Sequence, residues 1–346
     1  MGLQIADLVP RRELEFRELK GKVICVDAFN AIYQFLSTIR QADGTPLMDS
    51  NGKTTSHLSG LFYRNVNLLS EGLKLVYVFD GKPPEQKNKT HEKRSDIRDE
   101  AREKYNAARD REDIEAMGRY SRQLSILTDG MIQESKELLE SMGIAVVQAP
   151  SEGESQAAYL VKTKKASAEG SQDYDSLLFG APLLIQNLTL SSRRKTSSGS
   201  YINVYPELIE LERVLNHLQI NLDQLICLGI LVGTDYNPGG IKGIGPKKAL
   251  EIVKKYKQPY LIFKSMENQI DEMIKEGRGF DWQEVYQLFH RPNVSNTEIH
   301  FPKLDKEKII KILTDRDFSK ERIEKQFEKL DRAEEEKKQT TLFSFK

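Results

Sequence analysis

KVICVD, residues 22–27, is an unbroken apolar run rich in β-branched residues that stops at an acid. That is the pattern of a strand covered on both faces inside a parallel sheet. KLVYVFD (74–80) repeats it, and GIAVVQAP (143–150) supplies a third run of the same kind. Between the first two, residues 55–69 place apolar side chains at helical spacing, and an amphipathic helix over 130–142 meets Gly143 as a C-cap. Strand and helix alternate, so the fold class is α/β with a mostly parallel central sheet flanked by helices. A further strand is expected within KASAEGSQDYD (165–175), although that stretch has no large aliphatic residue. LLIQNLTL (183–190) and YINVYP (201–206) flank the polar SSRRKTSSGS (191–200), which predicts a hairpin with a mobile basic tip.

At 346 residues, 38% hydrophobic and 30% charged, the chain has the composition of a soluble globular protein. Its longest apolar run, Leu225–Val232, falls far short of the roughly 18 residues a membrane-spanning helix needs. The start, MGLQIADLVP, lacks the basic stretch and long apolar run of a secretory signal, and Ala6 stands where a myristoylation signal needs Ser or Thr. Cys25 and Cys227 both lie in apolar stretches and are expected as buried, reduced thiols of an intracellular protein. The formal net charge is zero, so any attraction for nucleic acid must come from how charge is distributed.

Acids recur where apolar runs stop. Asp27 ends the first run and Asp80 the second, Glu152 and Glu154 follow the third, Asp173 and Asp175 follow the least apolar one, and Asp235 sits in LVGTDYNPGG. In an open α/β sheet such strand ends converge on one crevice. One acid at a strand end is commonly a cap or a turn residue, but five such places in one chain are hard to assign to chance. Gathered together, seven carboxylates could not all stay ionised without cations. The paired acids stand at i and i+2, which share a side of an extended segment and can reach one ion. His57, His91, His217, His290 and His300 show no ligand spacing. Hard oxygen donors alone select Mg2+ or Mn2+ over zinc, and two such ions roughly 3.5–4 Å apart suit hydrolysis at phosphorus.

Residues 86–122 carry 11 Lys/Arg against 9 Asp/Glu and almost no aliphatic side chains, which predicts a solvated helix pair or a partly disordered insertion. Lys87, His91, Arg94 and Arg98 recur along one helical face. Like charges stacked this way repel unless an anion lies along them, so the stripe suits phosphate. NPGGIKGIGPKKALEIVKKY (237–256) sets a glycine-rich turn before an amphipathic helix but fails the P-loop pattern, since Pro246 and Lys247 follow Gly245. It reads as a helical hairpin whose turn offers backbone N–H groups to a phosphate, with Lys242, Lys247 and Lys248 beside it.

VDAFNAIYQFL (26–36), VFDGKPPEQK (78–87), APSEGESQAAY (149–159), SQDYDSLLFG (171–180) and LVGTDYNPGGIKGIGPKKA (231–249) resemble, in order and spacing, the motifs of flap endonucleases of the archaeal/eukaryotic type, in the XPG-like structure-specific 5′ nuclease family. The resemblance implies a PIN-like nuclease domain over residues 1–330. Within it, an N-terminal region would run to about residue 105 and a helical arch from about 82 to 130. An internal region, 131–330, would hold a helix–two-turn–helix that grips duplex DNA, and a flexible tail would follow over 331–346.

By the same resemblance, Asp27, Asp80, Glu152 and Glu154 match the ligands of one metal, and Asp173, Asp175 and Asp235 those of a second. Two Mg2+ per site are implied, with Mn2+ as a substitute. Lys87 and Arg94 match a catalytic pair on the arch, Tyr33 an aromatic that stacks on the nucleotide at the cut, and Gly2 a DNA contact exposed when Met1 is removed. Gly243, Gly245, Lys247 and Lys248 lie in a DNA-binding turn (239–249) that also takes K+. The implied activity is 5′-flap cleavage with 5′-to-3′ exonuclease action, in Okazaki fragment maturation and base excision repair. A monomer is implied, in an archaeal cytoplasm near the nucleoid or in a eukaryotic nucleus.

Two features depart from the family pattern. Glu169 and Gly170 stand where small or apolar residues are usual, which bears on local stability. QTTLFSFK resembles a box for binding the sliding clamp (PCNA) through Gln339, Leu342 and Phe345, but Lys346 replaces its second aromatic, which implies weakened binding.

Three other readings compete: a general 5′-exonuclease or RNase, a catalytically silent binder of DNA junctions, and an Asp-nucleophile phosphatase. The phosphatase needs Asp-x-Asp after the first strand, where Ala28 and Phe29 follow Asp27. The full set of seven acids argues against lost catalysis.

Overall fold

A computed structural model describes residues 3–41, 43–111, 113–189, 193–195 and 201–343. Its strands are β1 (Arg12–Glu13), β2 (Val23–Asp27), β3 (Lys74–Phe79), β4 (Ala145–Gln148), β5 (Ala168–Gly170), β6 (Leu183–Gln186), β7 (Arg193–Lys195), β8 (Tyr201–Asn203) and β9 (Glu207–Glu210). Seven of them form one sheet in the order β1-β9-β6-β5-β2-β3-β4. β2 lies parallel between β3, with Asp27 opposite Val78, and β5, with Val26 opposite Gly170. β4 and β6 extend the parallel set, and β9 and β1 close one side antiparallel.

The apolar runs follow from burial on both faces. Alternate residues Ile24, Val26, Leu75, Tyr77 and Phe79 join one core. Its helices are α1 (Ala28–Thr38), α2 (Ser56–Ser70) and α5 (Asp129–Ser141). Their neighbours Cys25, Val76, Val78, Ala145 and Val147 join another with α6 (Gly153–Lys162). Each fully buried large aliphatic side chain contributes about 1.5–3 kcal/mol, so a register slip would forfeit both faces at once. The short β5 is carried by its neighbours instead: it runs between β2 and β6 with all three residues buried.

Behind β5 follow α7 (Asp175–Leu178), α8 (Leu211–Leu218) and α9 (Leu222–Val232), then α10 (Pro246–Tyr256) across the glycine-rich turn. α9 and α10 form the expected helical hairpin; Asn221 caps the first through a reciprocal bond with Gln224, and Pro246 opens the second. Short helices α11 (Pro259–Lys264), α12 (Glu267–Lys275) and α13 (Trp282–His290) complete this layer. An extended strap, residues 291–305, then crosses α6, where Ser295 and Gln156 exchange two hydrogen bonds of 2.8 Å. α14 (Lys306–Thr314) and α15 (Lys320–Phe343) return to the first core through Ile309, Leu313, Ile323, Phe327 and Leu330.

Two expectations, the strand hairpin and the tail, meet a different backbone, while the charged insertion takes the helix-pair form of the two that were open. LLIQ (183–186) does not pair with YINVYP; β6 takes β9 as its partner, and the hairpin is the separate ribbon β7–β8. Its basic tip, residues 196–200, lies outside the described residues. The charged insertion is a helix pair, α3 (Asn88–Asp110) and α4 (Ile114–Ser121), in which Ala101, Ala108 and Ser121 are buried among the described side chains. Its base docks on the turn after α1: Ser121 Oγ donates to Gly44 O at 2.7 Å, and Arg40 donates to both Gly44 O and Ser125 Oγ. The tether expected from residue 331 continues instead as helix to Phe343.

A partly buried ionic knot joins α2, α5 and the α14–α15 turn. Arg316 pairs with Glu134 and with Asp49, and His57, fully buried, approaches Glu134 at 3.3 Å. Arg316 already takes up the Glu134 charge, so His57 meets it as a neutral donor. Burial, and then Arg316, lower the His57 pKa to about 4, against 6.5 for an ordinary histidine. The unfolded chain therefore binds a proton first. His57 stabilises the fold fully above pH 6.5, and that contribution is lost as pH falls towards 4, a loss of roughly 3 kcal/mol. Urea midpoints measured from pH 7 to 4 are expected to show it, and His57→Leu should flatten that part of the profile; an equally steep fall in His57→Leu would place the loss elsewhere.

Candidate active site

The strand order reverses about β2: β3 and β4 lie on one side, β5 and β6 on the other. Open α/β sheets hold ligands at such a switch point. Asp27 ends β2 and caps α1, accepting from Asn30 N at 3.1 Å. Asp80 follows β3 and accepts from Gly153 N, the first amide of α6, at 2.6 Å. Gly153 must be glycine, because a Cβ there would lie 2.8 Å from Asp80 Oδ1 and 3.0 Å from Val78 O. Glu152 and Glu154 stand at the start of α6, and Asp173 and Asp175 bracket the start of α7.

Asp235 arrives from the other layer on a knotted turn. Thr234 Oγ1 donates to Asn237 Oδ1 at 2.7 Å, Asn237 Nδ2 donates to Ile230 O, and the backbone at Gly233 touches that at Gly240 so closely that a Cβ on Gly240 would lie 2.3 Å from Val232 C. Lys87, at the end of a 3-10 turn before α3, reaches into this group: Nζ is 2.5 Å from Glu152 Oε1 and 3.7 Å from Asp235 Oδ2.

The electrostatics tie the seven acids together. Burial, then Asp80 and Asp173, raise the Asp27 carboxyl to about 8. Glu154 is held well above the usual carboxylate range by burial and then by Asp173, Asp27 and Asp175. Asp175 is raised likewise by burial, Asp235 and Asp173. Glu152 is raised by burial and by Asp80 and Asp235, with Lys87 opposing. Burial would lower the Lys87 ammonium, but Glu152, Glu154 and Asp235 outweigh it and raise its pKa. A lysine amid carboxylates stands where added positive charge is favoured.

Among the described residues, no three His, Cys, Asp or Glu side chains close around one point as metal ligands do. The acids of the described residues share a space without converging, with the Lys87 ammonium close to Glu152 and Asp235. The donors nevertheless fit hard divalent cations. All are oxygens, four of the acids are pushed towards neutrality, and Asp175 Oδ1 is buried without a hydrogen-bond partner.

Other expected residues are distributed around this centre. Tyr33 is 40% exposed, one turn along α1 from Asn30, whose side chain donates to Asp173 Oδ2 at 2.8 Å. Gly243, Gly245, Lys247 and Lys248 are exposed at the head of α10, while Ile241 and Ile244 pin the turn beneath them. The Arg94 backbone lies in α3, and those of Gln339 and Leu342 in α15; their side chains, with Gly2 and Phe345, lie outside the described residues.

Sequence reading missed Asn30 and Tyr236, whose hydroxyl donates to the Glu152 oxygen that Lys87 leaves open. Their positions beside Asp27 and Asp235 were the available signal. It also missed Gly153, whose role rests on a contact between two strand ends.

Comparison with known proteins places this arrangement. Residues 3–101 match the XPG N-terminal domain and residues 143–235 the XPG I-region. Flap endonuclease 1 of Thermococcus onnurineus is 52% identical over 349 residues, covering 100% of this chain and 99% of that protein. Flap endonuclease 1 of Pyrococcus furiosus is 50% identical, with 100% and 99% covered. The solved flap endonuclease-1 from Methanococcus jannaschii superposes with a TM-score of 0.73 at 39% identity, covering 97% of this chain and 100% of that one. With likeness of this degree along its whole length, the chain belongs to the flap endonuclease family of XPG-type nucleases.

Proposed function

We propose that the protein is a structure-specific 5′-flap endonuclease, with 5′-to-3′ exonuclease action, that hydrolyses DNA phosphodiesters with two divalent cations, Mg2+ by preference and Mn2+ as a substitute. One observation carries this reading: at the sheet's switch point Lys87 Nζ lies 2.5 Å from Glu152 and 3.7 Å from Asp235, Asp80 accepts from the Gly153 amide between Glu152 and Glu154, and Asn30 donates to both Asp27 and Asp173. Asp27, Asp80, Glu152 and Glu154 would hold one ion, and Asp173, Asp175 and Asp235 the other. When bound, the ions supply polarisation of the phosphate and activation of a water for in-line attack.

The chain's own residues do the rest. Lys87, released from Glu152, and Arg94 steady the phosphate's negative charge; Tyr33 at the lip offers a face on which a base can stack. The α10 turn, with a K+ ion, and Lys247 and Lys248 hold the duplex phosphates, and the arch of α3 and α4 gives a single-stranded 5′ end a passage. The proposal extends to work in Okazaki fragment maturation and base excision repair, as a monomer, in an archaeal cytoplasm or a nucleus.

An end-labelled 5′-flap duplex should be cut near its junction with Mg2+ and left intact in EDTA, while a plain single strand is turned over far more slowly. Equal turnover of both substrates would favour the general exonuclease. Gly153→Ala, which displaces Asp80, should slow flap cutting roughly 10–100-fold while leaving the protein folded; an unchanged rate would remove Asp80 from the ligand set. Deleting residues 339–346 should abolish a weak affinity for the sliding clamp in calorimetry, and no loss would refute the clamp box.

A further inference from the structure

Glu169 is the middle residue of β5, in register with Cys25 and Leu184 of the flanking strands. It is fully buried. Its Oε1 accepts a 2.7 Å hydrogen bond from Ser176 Oγ, also fully buried, and its Oε2 has no hydrogen-bond partner. Burial holds its carboxyl well above the usual carboxylate range. An apolar side chain would fill the same place without an orphaned oxygen, so Glu169 costs stability at this point.

What it holds is the residue after Asp175. α7 has only four residues, too few to sustain its own geometry. Leu178 packs against Gly229 at its far end, where a Cβ on Gly229 would lie 2.6 Å from Leu178 Cδ1. At the near end, the Ser176–Glu169 bond draws the first turn onto β5. Ser176 and Asp175 have adjacent Cα atoms, so a shift of one carries the other.

We propose that Glu169 is a positioning residue: by accepting from Ser176 it fixes the first turn of α7 and so aims the Asp175 carboxylate into the cation site. The inference rests on the ligand reading given above. Partners of ligand residues that are lost in this way lower metal affinity about 10-fold or more.

Mg2+ titrated calorimetrically into the full-length protein without DNA, beside a thermal melt in EDTA, tests it. Glu169→Val should melt no lower than the parent protein yet bind Mg2+ about 10-fold more weakly. Ser176→Ala should weaken Mg2+ to the same extent, which keeps the test open if the valine protein does not fold. Glu169→Gln, which keeps an acceptor oxygen for Ser176, should bind within about twofold of the parent. Unchanged affinity in Glu169→Val or Ser176→Ala, or a glutamine variant as weak as the valine one, would overturn the inference. Asp175→Ala separates the two levels. If it binds Mg2+ normally, the ligand reading falls and takes this inference with it; if its affinity is lost while Glu169→Val keeps its own, the inference alone falls.

Discussion

Asp235→Ala is expected to cut a 5′ flap at less than about a thousandth of the parent rate, with Asp175→Ala equally impaired, while both still bind the flap duplex. On the proposed two-cation reading, each removes an oxygen from a site whose ions would supply several kcal/mol of charge stabilisation, and each 1.4 kcal/mol is a factor of ten. Under the proposed function binding survives, because its main phosphate contacts would be made elsewhere, by the exposed turn of Lys247 and Lys248. Relief of repulsion works in the same direction. Asp235 raises Asp175, so its loss leaves the remaining acids less crowded and the duplex phosphates less repelled. Single-turnover cutting with a parallel gel-shift checks the pair of effects. Cutting at the parent rate by Asp235→Ala would discard the ligand assignment.

Lys87→Ala is expected to slow the chemical step about 100-fold or more, the scale seen when one preorganised donor to developing charge is removed. It should also have an effect that the acid variants lack. Without metal, Lys87 is the ammonium paired with Glu152 and close to Asp235. Its removal leaves buried carboxylates uncompensated, and the melting temperature in EDTA should fall by an amount corresponding to about 2 kcal/mol. Added Mg2+ should restore most of that stability, because cations then occupy the space between the acids. An EDTA melt identical to the parent would mean that Lys87 does not neutralise the cluster.

The sheet was legible where burial is two-sided. Cys25 and Val76 on one face and Ile24 and Tyr77 on the other leave no polar position in the run, so β2 and β3 declare themselves. β5 does not, because its burial comes from β2 and β6 and its central residue is Glu169. The pairing of β6 was misread for a different reason. Alternation and turn residues mark runs but not partners, and ELIE (207–210), too short to stand out, is the run that matches LLIQ.

Asp27, Asp80, Glu152, Glu154 and Asp235 stood out because each follows an apolar run, a position local sequence reveals, whereas Asp173 and Asp175 stood out only as a pair at i and i+2. Asn30, Gly153 and Tyr236 act through contacts with acids from other elements, and no periodicity marks such contacts. The strap over α6 was invisible as well, since residues 291–305 carry neither helical nor strand spacing and are fixed by Gln156 and by Lys165, which donates to Thr297 O.

Anomalous diffraction from crystals equilibrated with Mn2+ asks most directly whether cations gather these carboxylates. The account predicts two peaks roughly 3.5–4 Å apart at the C-terminal edge of β2, β3 and β5, one against Asp27, Asp80 and Glu154 and the other against Asp173, Asp175 and Asp235. Mn2+-equilibrated crystals with no peak at that edge, or with peaks that Asp27 and Asp235 do not contact, would contradict it.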